Sequence, residues 1–230
     1  MVNLSKKLES QLNKLKRLID TSSPQEKLES YGNYWQNKDK EFYEAIYYET
    51  PKIHEYFQEW YSRQGDINTI LDVGCGAGIY GRRVFKDKSY HGIDISGKAI
   101  ALAQSKDRNK NHSYRICDFI ADKYYDDVHY DLVFSLSVID HVYNPDEFIK
   151  KCVKLSKRHV WIAAYWGYFP KLKSHKMEWH PEITCYQNKL SVSQLQNLLD
   201  NLNVKYSIEA LPYEKRKKPA VATIIKIEKT

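Results

Sequence analysis

Three glycines and two aspartates carry the clearest chemistry in this chain. The run from Ile70 to Gly81 reads ILDVGCGAGIYG: an apolar strand reaches an acid, Asp72, and passes through Gly74, Gly76 and Gly78 into an apolar helix start. Glycines at these spacings remove side chains where the backbone must turn sharply, so that a ligand can lie against main-chain atoms. Twenty-two residues after Asp72, a second apolar run ends in Asp94 of HGIDIS, where a carboxylate can accept both hydroxyl protons of a ribose. The combination reads as a nucleoside-binding turn. Gly76, Gly78 and Gly81 also satisfy the GxGxxG spacing of a dinucleotide site. Asp72 opposes that reading, because an acid just before the turn repels a pyrophosphate and could instead hold an ammonium group. The Tyr-x-x-x-Lys pairs that carbonyl reduction would need are misplaced: Tyr34/Lys38 and Tyr48/Lys52 precede the turn, and Tyr213/Lys217 falls in EKRKKP, which reads as a loop.

The elements that must position these residues follow from periodicity. From residue 68 the pattern alternates, with strands expected at 68–73, 89–94, 112–117, 130–136, 158–164, 203–211 and 220–228 and helices near 78–86, 97–107, 145–156 and 191–201. Alternation implies an α/β, doubly wound, mostly parallel sheet with right-handed crossovers. Only EKRKKP separates the last two strands, so the final strand returns antiparallel. Residues 166–190, WGYFPKLKSHKMEWHPEITCYQNKL, form an insertion longer than ordinary connections. Before the alternating part, Leu4, Leu8, Leu12, Leu15 and Ile19 mark an amphipathic helix. An aromatic-rich segment from Tyr31 to Tyr61 then predicts one or two helices bent near Pro51. The expected organisation is a helical cap over residues 1–62 and an α/β domain over 63–230.

At 230 residues the chain supports one substantial core with an appendage. Its four cysteines form no CxxC pair, so neither a zinc knuckle nor a disulfide framework is indicated, and no metal is expected. No signal peptide or run of eighteen apolar residues occurs, which predicts a soluble cytoplasmic protein without a membrane partner. The net charge of +7 is localised: residues 151–230 hold fifteen basic against six acidic side chains, concentrated in KLKSHK and EKRKKP. Such clusters attract anions.

DVGCGAG, GIDIS, RICDF and YDLVFSLSVIDHV, in that order, resemble the motifs of class I S-adenosylmethionine-dependent methyltransferases with a Rossmann-like fold, most in the style of small-molecule and saccharide methyltransferases. The resemblance covers roughly residues 68–165. It implies a seven-stranded sheet of order 3-2-1-4-5-7-6, S-adenosylmethionine as cofactor and S-adenosylhomocysteine as product. By the same resemblance, Asp72 and the turn of Gly74, Cys75, Gly76 and Gly78 hold the methionine end and Asp94 the ribose, while Ile95 lies against the adenine. Asp118 and Phe119 of CDF meet the adenine edge, and Ser135, Leu136 and Ser137 line the cofactor pocket. Tyr31, Tyr34 and Trp35 are lid candidates, Tyr34 and Trp35 toward the cofactor and Tyr31 toward the acceptor.

Methyl transfer is an in-line displacement, so alignment and exclusion of water supply most of the acceleration. A base matters only when the acceptor is a hydroxyl, and His141, His175 and His180 are the candidates. Asp140, Trp166, Tyr168 and Trp179 are expected on the acceptor side. The expected reaction is O-methylation of a small, anionic acceptor, a saccharide or nucleotide-linked sugar or another phosphorylated metabolite, by a monomer or homodimer. RNA methylation, amine N-methylation and an inactive binding module are the competing readings.

Overall fold

Strands buried on both faces of a parallel sheet read as nearly continuous apolar runs, and TILDV and YDLVFSL have that character. The computed structural model describes residues 22–38, 40–45, 50–123, 128–215 and 217–229. Among them lie nine strands: β1 (Thr69–Val73), β2 (Ser89–Asp94), β3 (His112–Ile116), β4 (Tyr130–Leu136), β5 (Ser156–Ala164), β6 (Lys176–His180), β7 (Cys185–Lys189), β8 (Lys205–Lys215) and β9 (Lys218–Glu228). Seven make one sheet in the order β3-β2-β1-β4-β5-β9-β8. Neighbours from β3 through β5 are parallel, and β9 runs antiparallel to both β5 and β8. Counted within the sheet, this is the expected order 3-2-1-4-5-7-6.

The helices are α1 (Pro24–Ser30), α2 (Asn33–Gln36), α3 (Lys40–Ala45), α4 (Pro51–Ser62), α5 (Ile79–Arg83), α6 (Gly97–Lys106), α7 (Pro145–Leu155) and α8 (Val192–Asn201). Side chains alternate across a strand, so each strand feeds two cores. Leu71, Val133 and Ile162 meet Phe148 and Cys152 of α7 and Leu195 of α8. Ile70, Leu132 and Trp161 face the other way, onto Ile53 and Phe57 of α4. The Phe57 ring sits 4.5 Å from Phe134 and 4.8 Å from Trp161, centroid to centroid. Aromatic packing of this kind ties α4 firmly to the sheet.

Three expectations need correction. The aromatic segment is not one or two bent helices but a series of short ones, with Pro51 opening α4 at its first position, where a missing N–H costs no helical hydrogen bond. EKRKKP is mostly strand: β8 runs to Lys215 and β9 starts at Lys218, because this end of the hairpin extends past β5, whose pairing with β9 stops at Thr223, and its lysines can reach water. The insertion contains the β6–β7 hairpin, whose polar strands KMEWH and CYQNK gave no apolar alternation to read. The leucine-patterned segment ending at Ile19 lies outside the described residues.

Candidate active site

The carboxyl ends of the parallel strands meet at one edge of the sheet, and the turn after β1 opens a cavity there. Gly74 has φ 78°, and a Cβ on it would strike the Val138 side chain, so only glycine fits. Gly78, at φ 69°, opens α5 with the Tyr114 ring packed 2.6 Å from where a Cβ would stand. The amides of Gly74 and Cys75 both donate to the carbonyl of Ile93, at 2.8 and 2.9 Å, which locks the turn to β2. Asp72, Gly74, Cys75 and Gly76 therefore form one wall with Asp94 and Ile95. Asp118, Phe119, Leu136 and Ser137 continue it, and Tyr31 and Trp35 cover it from the N-terminal segment. Ser137 takes φ 58°, strained for a residue with a side chain, and its amide donates to Ala163 at 2.9 Å. That turn directs the chain after β4 into the cavity.

Charge gives the cavity its character. One Asp94 oxygen accepts from the Gly76 amide at 2.9 Å and the other from the Ser96 amide at 2.8 Å. Burial raises the Asp94 carboxyl, and these two amides offset only part of the rise. Asp72 accepts a 2.5 Å hydrogen bond from Tyr90. Burial pushes its carboxyl up to about 7, against the pull of Tyr90 and with the repulsion of Asp94 added. Two carboxyl groups, one buried and one half-buried, thus share one cavity. Among the described residues, no lysine or arginine lines it.

The chain after β4 supplies an imidazole. His141 lies in the wall, with its ring 5.3 Å from Trp35 and 6.3 Å from Trp166. Its Nδ1 lies 3.0 Å from the carbonyl of Tyr186 on β7. A carbonyl only accepts, so Nδ1 carries the proton and Nε2 the lone pair. Burial lowers the imidazole to about 4, partly offset by the Tyr186 carbonyl and reinforced by the charges of Lys215 and His180. The loop is held from the same strand: Asn188 donates through Nδ2 to Ile139 and Val142 at 2.9 and 2.8 Å, and its amide donates to Asp140 at 2.8 Å.

Several expected site residues are elsewhere. Ser135 is fully buried and donates to Val73 at 2.9 Å, a tie between β4 and β1 rather than a pocket wall. Gly78 packs on Tyr114. Tyr34 turns its ring to Lys38, 3.6 Å away, and only its amide reaches inward, to Thr184 at 2.9 Å. Asp140 accepts from the amides of Tyr165 and Trp166 at 2.8 and 3.3 Å, and burial pushes it up to about 7, so it braces the ends of β4 and β5. His175 bridges Asp146 and the Ser191 amide, at 3.1 and 2.8 Å, and His180 lies 3.5 Å from Glu182. Neither lines the cavity. Trp179 packs across the hairpin on Tyr186, Tyr168 is half-buried outside the wall, and Trp166 is exposed beside it. Conversely, His54, bonded to Tyr80, and Tyr165, bonded to Thr50, line the cavity without having been foreseen. Only tertiary packing of α4 distinguishes His54 from its aromatic neighbours.

The methyltransferase-domain family matches residues 71–161, which contain the turn, Asp94, Asp118 and His141. A ubiquinone biosynthesis O-methyltransferase from Rickettsia bellii (strain OSU 85-389) is 27% identical over 192 residues, spanning 78% of this chain and 80% of that one. Residues 71–161 thus belong to a class I S-adenosylmethionine-dependent methyltransferase domain. Among solved structures, the methyltransferase is similar to magnesium protoporphyrin IX methyltransferase from Synechocystis PCC 6803 with bound S-adenosylmethionine, at TM-score 0.59 and 16% identity over 95% of this chain and 97% of that one. It is also similar to the N-terminal domain of EvdMO1 with S-adenosylhomocysteine and D-fucose, at TM-score 0.59 and 18% identity over 76% and 82%. At such identities the likeness concerns the fold.

Proposed function

We propose that this methyltransferase methylates a hydroxyl of a small, flat molecule seated against His141, and that a phenol suits the site better than a sugar. The observation that carries the reading is the charge of the cavity: buried Asp72 and half-buried Asp94 share it, and among the described residues no lysine or arginine lines the wall. A ligand that brings its own positive charge relieves that repulsion, whereas a pyrophosphate would add to it. S-adenosylmethionine, bearing a sulfonium and an ammonium, supplies an electrophilic methyl group. Asp72 would receive the ammonium and Asp94 the ribose hydroxyls, each Asp94 oxygen already oriented by a backbone amide. Asp118 would accept from the adenine amino group, near the Phe119 amide, with Ile95 against the ring.

The acceptor side explains the preference for a phenol. His141 has Nε2 in base form at neutral pH, but with a pKa of about 4 it is a weak base. Proton transfer to it is easier from a phenol, with a pKa of about 10, than from a less acidic sugar hydroxyl. Trp35, Val138 and Val142 share the wall with His141 and offer a saccharide few hydrogen-bonding partners. The named activity of the Rickettsia relative, an O-methylation, agrees with this direction. The free thiols of Cys75, Cys117, Cys152 and Cys185 fit a reducing, cytoplasmic setting. No helix among the described residues is long and apolar enough to cross a membrane.

His141→Asn tests the proposal. On a catechol acceptor it should lower kcat by about a hundredfold while leaving S-adenosylmethionine affinity unchanged. Full turnover by the variant would remove the base, favouring an amine acceptor whose own lone pair attacks.

A further inference from the structure

We propose that Lys215 anchors an anion subsite beside the acceptor, so that the preferred acceptor is a flat ring carrying a carboxylate or phosphate. The ring rests on the phenol reading above; the anion rests on separate geometry. β8 runs parallel to β5, since both are antiparallel to β9, and its carboxyl end therefore points to the ligand-binding edge. Lys215 is the last residue of β8. Its ammonium stands 5.5 Å from the ring centre of Tyr165, which lines the cavity, and 5.6 Å from that of Trp166. Trp166 is 41% exposed and its ring lies 6.3 Å from His141. Base and ammonium thus both neighbour the exposed indole. A ring lying along Trp166 with its hydroxyl toward His141 would present its far substituent to Lys215.

The charges nearby show that this ammonium is available. Lys215 pairs in register with Lys218 across the hairpin, and like charges directly opposite one another are unfavourable unless an anion joins them. No carboxylate among the described residues forms an ion pair with Lys215. Asp140 is the nearby acid whose carboxyl feels its charge, but both Asp140 oxygens already accept from backbone amides. Contact with two aromatic faces holds the lysine in place without neutralising it. Lysine acts on carboxylates and phosphates as a point charge, which leaves both chemistries open to the subsite.

The test is calorimetric titration of the protein saturated with S-adenosylhomocysteine. The probes are 3,4-dihydroxybenzoate, phenyl phosphate and neutral 4-methylcatechol, compared across wild type, Lys215→Met and Lys215→Arg. In wild type at least one acid should bind about tenfold more tightly than the neutral catechol, the effect of one charge-assisted hydrogen bond. Lys215→Met should erase that preference and Lys215→Arg keep it, with S-adenosylhomocysteine affinity equal in all three as the check on folding. The tighter of the two acids identifies carboxylate or phosphate as the preferred group. Equal binding of acids and neutral probe, failure of both acids to bind, or a preference that survives Lys215→Met overturns the subsite. Turnover separates this from the phenol reading. Dihydroxybenzoate held through Lys215 but never methylated overturns only the phenol acceptor, while methylation indifferent to Lys215 overturns only the subsite.

Discussion

Asp72 is the residue at which this site can be interrogated most sharply. Its buried carboxyl, raised to about 7, is half protonated near neutral pH in the free protein. An ammonium ligand favours the carboxylate and lowers that pKa. Affinity for S-adenosylmethionine is therefore level above about pH 7 and falls as pH drops through 7, by about tenfold per unit until the bound-state pKa is reached. Asp72→Asn should bind weakly at every pH and lose the slope. A wild-type affinity that stays flat from about pH 5 to 8 would mean that Asp72 does not meet the ammonium. Asp72 and Asp94 were legible in the sequence because each ends an apolar run beside a local turn. Ser135 was misleading for a related reason: it lies in the right segment, but strand alternation aims its hydroxyl at Val73 instead of the pocket. His54 was illegible because nothing local marks it among its aromatic neighbours.

Among the elements, the β6–β7 hairpin organises the acceptor side. Three features of β7 and its turn act on different parts of the site. The Tyr186 carbonyl sets the tautomer of His141, Asn188 holds the 139–142 loop, and Thr184 accepts from the amides of Gly32 and Tyr34. Asn188 is 1% exposed, so removing its side chain leaves two buried carbonyls without their donor. Asn188→Ala should cost about 2–4 kcal/mol of stability in urea unfolding and reduce turnover, with cofactor affinity preserved. A loss within about 0.5 kcal/mol, the range of an ordinary surface change, would show that the hairpin does not hold this loop. The sequence marked residues 166–190 as an insertion by length alone. It could not show the hairpin, because short polar strands lack the alternation by which strands are read. His175 and His180 drew attention as imidazoles, yet fold against Asp146 and Glu182, away from the cavity.

The whole molecule joins a rigid sheet edge to a covering N-terminal segment. The parallel strands bring Asp72, Asp94, Asp118 and Ser137 to that edge, an arrangement legible from strand–helix alternation because parallel pairing leaves few topologies. The cover was less legible, being made of short helices whose placement depends on distant partners. Gln36 bonds both Ile95 and Gly97, and Tyr43 donates to Ser96 at 2.8 Å, so this segment grips the same turn that carries Asp94. The central claim is that the two carboxylates of this cavity, Asp72 and Asp94, hold a cationic nucleoside. Its most direct test is calorimetric titration of wild type and Asp94→Ala with S-adenosylmethionine and S-adenosylhomocysteine, beside NAD and NADP. The account predicts micromolar binding of the sulfur nucleosides by wild type and at least about a hundredfold loss in Asp94→Ala, the loss of two charged hydrogen bonds. Binding of NAD or NADP in their place, or undiminished affinity in Asp94→Ala, would contradict it.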